Sequence, residues 1–313
     1  MRRAIPLDCG HSLVLSLLLA ALVMGTSGFS SPFPLVRSDG AERITPGLGS
    51  EQNPCISPDG SALVFTRFAN GYNTGPSALV LIDLASGKEQ VLVDDGDHDH
   101  VNLPGQCFSP DGKHIAYSSD ASGRDEIWLL DMAANTTSRL TNHSCGRAYE
   151  PAFSSNGSVV VFEYDQDGRD GSIRAVSVDT GEEWDIAPSG YDDRQPNPSP
   201  SSDVVLFQSL RNGTWGLWTI SLSGEDIQVL WDTPAEETDA SWSPDGQTVV
   251  FASDDCEALS CIVLLRQGRV QVIPSPHGWY QGAPALAHDG TVYAEAAPGD
   301  PEEQGRSAIY RLP

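Results

Sequence analysis

Histidine and carboxylate crowd together in one run, Asp94-Asp95-Gly96-Asp97-His98-Asp99-His100. Two imidazoles two residues apart lie on one side of an extended segment, and imidazole with carboxylate suits zinc, manganese or nickel. A site needs a further ligand from another loop, which His143 or His277 could supply. An acidic, histidine-bearing loop that is simply solvated is the competing reading. The expectation is therefore no resident cofactor, with a divalent cation on His98, His100, His143 and His277 as the alternative. Asp165 to Asp170 opens like a calcium loop, but the glutamate that would close an EF-hand loop is missing. No G-x-S-x-G elbow offers an activated serine. Cys256 and Cys261 flank a turn between two strands, where hairpin ends lie close, and a disulfide is expected there in an oxidising compartment. Cys55 and Cys107 share one repeat position, and a six-fold ring should hold them beyond bridging reach, so they read as small core residues.

The elements that must carry these residues come from a repeat. The phrases QNPCISPDGSALVF (52–65), GQCFSPDGKHIAY (105–117), EPAFSSNGSVVVF (150–162), QPNPSPSSDVVLF (195–207), DASWSPDGQTVVF (239–251) and GAPALAHDGTVY (282–293) are versions of one sentence. Aligned on Ser57, Ser109, Ser154, Ser199, Ser243 and Ala287, they are spaced 52, 45, 45, 44 and 44 residues apart. Pro-Asp-Gly is turn chemistry: proline presets φ, aspartate bonds nearby backbone, glycine takes φ > 0. The runs that follow, such as Val159 to Phe162 and Val249 to Phe251, are rich in strand formers. Third strands at Ile127 to Leu130, Ile173 to Val178 and Leu217 to Leu222, then a weak fourth such as Ser138 to Thr141, complete each unit. Four antiparallel strands in about 45 residues make a propeller blade.

The fold expected is all-β, a six-bladed β-propeller of four-stranded antiparallel blades. The last unit stops after its third strand, and Ala41-Glu42-Arg43-Ile44-Thr45 resembles the fourth-strand segment Ser138-Arg139-Leu140-Thr141. An N-terminal strand is thus expected to close blade six and remove open sheet edges.

Ser-Pro-Asp-Gly with its apolar strand, Ser119-Asp120-x-x-Gly-x-x-Glu126-Ile127-Trp128 and Arg139-Leu140-Thr141 resemble the TolB-type propeller repeat over roughly 41–313. That repeat is specific for the fold and spread over several functions: periplasmic TolB, the propellers of prolyl-oligopeptidase-like enzymes, and oligogalacturonate lyases. The last use a metal held by propeller histidines, which makes a metal-dependent carbohydrate lyase the enzymatic alternative. A glycan-binding propeller is a further one. TolB itself has an additional N-terminal α/β domain for which these residues leave no room.

Arg2 and Arg3, an apolar run from Leu13 to Met24, and small residues at 25–28 read as a secretory signal over 1–28, followed by a disordered lead at 29–40 and the propeller at 41–313. The apolar run is short for a membrane span, so none is expected after cleavage, and the expected address is periplasmic or secreted. With 18 Lys+Arg against 43 Asp+Glu, the net charge of −25 excludes a nucleic-acid partner, whose phosphates need basic groups.

Loops that join one blade to the next gather on one face around the axial channel. The position four before the reference serine reads Asn53, Gly105, Glu150, Gln195, Asp239 and Ala283, and should ring the channel. The expected function is a non-catalytic binding module that presents this face to a protein or peptide partner in the cell envelope. Its contact residues would be Asn53, Glu150, Gln195, Asp239, Tyr149, Arg194, Trp279 and Tyr280.

Overall fold

The computed structural model describes residues 40–94, 101–102, 107–166, 170–187 and 190–313. The run holding His98 and His100, together with Gly105 and 167–169, lies outside them.

Six four-stranded antiparallel sheets follow one another along the chain. Blade three illustrates the pattern, with strands Arg147–Phe153, Val159–Asp165, Ser172–Ser177 and Glu183–Asp185 in consecutive order. Each second strand buries one repeated aromatic. Phe65, Phe162, Phe207 and Phe251 are all fully buried and each belongs to a separate apolar cluster. The period-45 repeat is therefore a repeat of interfaces: one large ring per blade keeps water out between neighbours.

The turn after each first strand shows why serine and aspartate recur. Ser57 Oγ donates to Asp59 Oδ1 at 2.7 Å and accepts from the Ala62 amide at 3.0 Å. Ser109 with Asp111, Ser154 with Asn156 and Ser243 with Asp245 repeat the arrangement. Consecutive turns also touch. A Cβ added at Gly112 would lie 3.8 Å from the Pro58 ring, one at Gly157 3.2 Å from Pro110, and one at Gly246 2.2 Å from Ser201 Oγ. The turns form a collar, and His288 Nε2 of the last turn lies 3.1 Å from the Pro58 carbonyl of the first.

Ring closure occurs as the sequence implies. Glu42–Arg43 pairs with Ala308–Leu312 as the outer strand of blade six. The resemblance to the fourth strand of blade two extends to a hydrogen bond. Thr141 Oγ1 accepts from the Ile127 amide at 2.9 Å, and Thr45 Oγ1 accepts from the Ile309 amide at 3.1 Å. Each threonine also donates to a buried glutamate, Glu126 at 2.6 Å and Glu51 at 2.5 Å. The one helix among the described residues, Pro301–Gln304, sits in the hairpin between the second and third strands of blade six.

Candidate functional site: the axial channel and its mouths

Five first strands kink at the same place. Asn53, Glu150, Gln195, Asp239 and Ala283 have φ of 52°, 53°, 50°, 54° and 44°, in the left-handed region that non-glycine residues seldom adopt. The pairing register slips across each of them, between Gln52 and Cys55, Tyr149 and Ala152, Arg194 and Asn197, Thr238 and Ser241, and Gly282 and Ala285. These are β-bulges, which re-aim a side chain and free the bulged amide from its ladder. The ring expected from the repeat is thus built by backbone geometry as well as by spacing.

The freed amides are taken by neighbouring blades. Gln208 Oε1 accepts from the Asp239 amide at 3.2 Å, Glu163 from the Gln195 amide, and Glu295 from the Asn53 amide. Glu163, Gln208 and Glu295 pair in register with Tyr149, Arg194 and Gly282, each the residue just before a bulge. Blade five has Ala252 at that position, and Asp239 Oδ2 itself accepts from the Ala283 amide at 3.2 Å. Gln195 bridges the side chains, donating to Asp239 Oδ1 at 2.6 Å while its own oxygen accepts from the Asp239 amide at 2.9 Å.

The channel therefore holds several buried acids, of which Glu163 has Arg194 3.9 Å away. Burial pushes Glu295 up to about 8, with the nearby Asp239 carboxylate adding to it. Burial likewise raises Glu150, Glu163 and Asp239, and the Glu163 charge adds to the rise at Glu150. Glu150 hydrogen-bonds Glu163, an arrangement that two carboxyls hold by keeping one proton between them. Tyr280 reaches in beside Asp239, its phenol raised by burial and by the Glu295 charge. Tyr72 comes from the hairpin between the second and third strands of blade one and hydrogen-bonds both Tyr280 and Glu295. At the bulges the channel narrows to a cavity of about 30 Å³, room for little more than a water. Beyond this waist, on the side of the turn collar, it opens into a 290 Å³ cavity walled by Pro54, Phe108, Phe153, Trp242 and Pro284. The two cavities share Pro54, Ser241 and Pro284.

Of the residues singled out from sequence, Asn53, Glu150, Gln195 and Asp239 meet around the waist and Tyr280 joins them. Arg194 sits at the rim, gripping Asp192 through Nε (2.8 Å) and Nη2 (3.0 Å), with its guanidinium over the Trp215 ring. Beside it, Arg211 lies over Tyr191, which is 49% exposed. Tyr149 is half-buried and accepts from Arg147 at 3.3 Å. Burial, partly offset by that arginine, pushes its phenol up to about 12. Trp279 is not at the channel. It packs edge-on against Tyr310 at 5.6 Å, beside Ala41 and the closing strand.

His143 and His277 do not converge on a common site. His143 is held between Glu126 at 2.8 Å and Glu183 at 2.9 Å, with Arg174 3.2 Å away. Burial pulls its pKa down, but the two carboxylates outweigh this and leave it at about 9, a protonated ion-pair partner. His277 is exposed in the loop before blade six. Among the described residues no three His, Cys, Asp or Glu side chains cluster as metal ligands. Cys256 and Cys261 are free thiols, both directed at the Ser253 carbonyl at 3.7 and 3.6 Å. Cys55 and Cys107 are also free thiols, but they stand closer than the ring argument allows, with Cys55 Sγ 3.0 Å from the Cys107 amide nitrogen. In blade one the bulge at Asn53 opens the first strand two residues before Cys55.

Sequence reasoning missed Glu163, Glu295 and Tyr72. A signal existed for two: a lone glutamate inside an otherwise apolar β-run, as in Val-Phe-Glu163-Tyr and Tyr-Ala-Glu295-Ala, has to find partners in the interior.

With this architecture in hand, the class is a six-bladed, bulge-waisted propeller. A family model described as TolB beta propeller domain matches residues 39–287, and the chain belongs to that family. It is 26% identical over 245 residues to the uncharacterized protein Atu1656 of Agrobacterium fabrum, covering 74% of this chain and 80% of that one. It is 25% identical to the Tol-Pal system protein TolB of Francisella tularensis, covering 64% of this chain but only 46% of the relative. Among solved structures, a protein assigned to TolB in Agrobacterium tumefaciens superposes with a TM-score of 0.63 at 20% identity, covering 87% of this chain and 96% of that one. An oligogalacturonate lyase in complex with manganese gives 0.60 at 16% identity, with 87% and 92% covered. At these identities the structural matches speak for the fold alone. No helix among the described residues is long and apolar enough to cross a membrane.

Proposed function

We propose that this propeller is a non-catalytic binding module that receives a protein or peptide partner on its loop face, at the bulge-side mouth of the channel. The observation that carries this reading is the pairing of rim and waist. The rim presents Arg194 over Trp215 and the exposed ring of Tyr191, which is backed by the largely buried Arg211, the residue types that anchor protein interfaces. The waist behind them is a fixed set of acids and amides with space for little beyond water. A docked chain can lay aromatic and polar groups on this rim, whereas a substrate finds no room at the waist. The Tol-Pal name carried by the Francisella relative supports a partner within the cell envelope. Residues 1–28 as an export signal and 29–40 as a lead fit a periplasmic or secreted address.

A metal-dependent lyase that used His143 as a ligand would have to take that ring from Glu126 and Glu183, which hold both its nitrogens. The test is site-specific photocrosslinking in intact cells of the native host. A crosslinking residue at Tyr191 or Trp215 should capture one defined protein, and one at Asp59 or Asp245 on the turn collar should not. Equal capture from both faces, or none from the rim, overturns the reading. So does one equivalent of transition metal in the mature protein that is lost when His98 and His100 are both replaced by Ala.

A further inference from the structure

Five cysteines fall in the described residues, and four stand in two couples that are remote from each other in sequence. The couple in blade five, Cys256 and Cys261, was expected to pair because of its hairpin. The other couple was not expected to pair. Cys55 lies on the first strand of blade one, two residues past the bulge at Asn53, Cys107 holds the same repeat position in blade two, and the two are 3% and 0% exposed. Cys55 Sγ accepts from the Cys107 amide at 3.0 Å. A sulfur that close to the neighbour's amide nitrogen brings the two Cα atoms within roughly 7 Å, the reach of a cystine. The two share one apolar cluster with Val64, Leu79 and Ile115. The thiols also hydrogen-bond each other, and burial holds the Cys107 thiol well above its ordinary range.

We propose that Cys55 and Cys107 form a disulfide that welds blade one to blade two beside the channel, alongside Cys256–Cys261. The oxidant is a disulfide of the thiol-exchange class, either a small-molecule disulfide or an oxidoreductase cystine. The thiolate of one cysteine attacks a donor sulfur and releases one donor thiol. The second cysteine then displaces the other donor half from the mixed disulfide. One sulfur–sulfur bond forms here, one breaks in the donor, and both protons end on the donor's thiols. Because both sulfurs are buried in the finished ring, the exchange belongs to folding, before the cluster closes over them. Cys55 also lines the 290 Å³ cavity, so the weld fixes one wall of that cavity only where the chain folds in an oxidising compartment. This inference does not depend on the partner reading: the crosslinking result leaves it untouched.

The experiment is a peptide map of the full chain refolded in oxidised and reduced glutathione, then denatured and alkylated without reductant. Trypsin separates Cys55 in 44–67 from Cys107 in 89–113, leaves Cys256 and Cys261 together in 212–266, and isolates Cys145 in 140–147. The expected result is a linked 44–67/89–113 pair and an unalkylated 212–266 two hydrogens light. Alkylated 44–67 and 89–113, or a link from either to 140–147, overturns the proposal. As a second readout, reductant should lower the thermal midpoint of the oxidised wild type more than that of the Cys55→Ala/Cys107→Ala protein. An equal drop in both also overturns it.

Discussion

Replacing Glu295 by glutamine tests whether the waist holds neutral acids. Glu295 is 2% exposed, and burial moves it from 4.5 to about 8. An acid raised on folding keeps its proton in the folded state at a pH where the unfolded chain has lost it. The folded state then binds the extra proton between about pH 4.5 and 8, so stability is complete below that window and falls as pH rises through it. At roughly 1.4 kcal/mol for each tenfold change, the penalty for ionising Glu295 in place reaches about 5 kcal/mol, and about 2 if water entering the waist relaxes the carboxylate. Glutamine matches the neutral acid in shape and cannot ionise. Glu295→Gln should therefore lie within about 1 kcal/mol of wild type at pH 5 and be more stable by about 2–5 kcal/mol at pH 9. Urea unfolding followed by tryptophan fluorescence at pH 5, 7 and 9 measures both. A wild type whose stability rises between pH 5 and 9, or a variant displaced from it by a constant amount at every pH, would refute the reasoning.

The protonated His143 makes the opposite substitution informative: His143→Gln should lose about 3 kcal/mol near pH 6, because Glu126 loses its charged partner, and much less at pH 10, above the folded value of about 9. Urea midpoints at the two pH values check it. Thr45→Val strips the closing strand of the hydroxyl that serves the Ile309 amide and Glu51, and should lower stability by about 1–3 kcal/mol; Thr141→Val in blade two is the matched control and should behave alike. Gly60→Ala and Gly246→Ala both force alanine to φ near 70°, worth about 1 kcal/mol or more, but only the second drives a methyl into Ser201 Oγ. Thermal midpoints should fall further for Gly246→Ala.

The blades, their turns and the closing strand were legible because each is a local pattern written several times. Ser-Pro-Asp-Gly marks every turn it occupies, and Arg43-Ile44-Thr45 could be matched to Arg139-Leu140-Thr141 before any contact was known. The ring of Asn53, Glu150, Gln195 and Asp239 was legible for the same reason. What makes it a waist was not. A bulge leaves no residue preference as firm as glycine in a turn, and here it falls on Asn, Glu, Gln, Asp and Ala alike. Without the bulge, neither the staples from Glu163 and Glu295 nor the approach of Cys55 to Cys107 can be placed. Trp279 shows the other limit. A loop aromatic can face either the axis or the outer edge, and strand parity put Tyr280 inward and Trp279 outward.

The strand that completes blade six has a consequence for the order of events in a cell. Its partners lie 269 residues further along the chain, as the pairing of Glu42 with Arg311 shows. Blades one to five can each form while later ones are still being synthesised, since their strands are neighbours in sequence. The last sheet cannot, because its edge is made first and its middle last. Until the final residues emerge, the inner strand of blade one has no blade six to cover it, and an incomplete molecule shows an open apolar flank to folding helpers and proteases. Completion of the circle is thus a built-in report that blade six has arrived, and a copy truncated within that blade would be marked by the face it leaves bare.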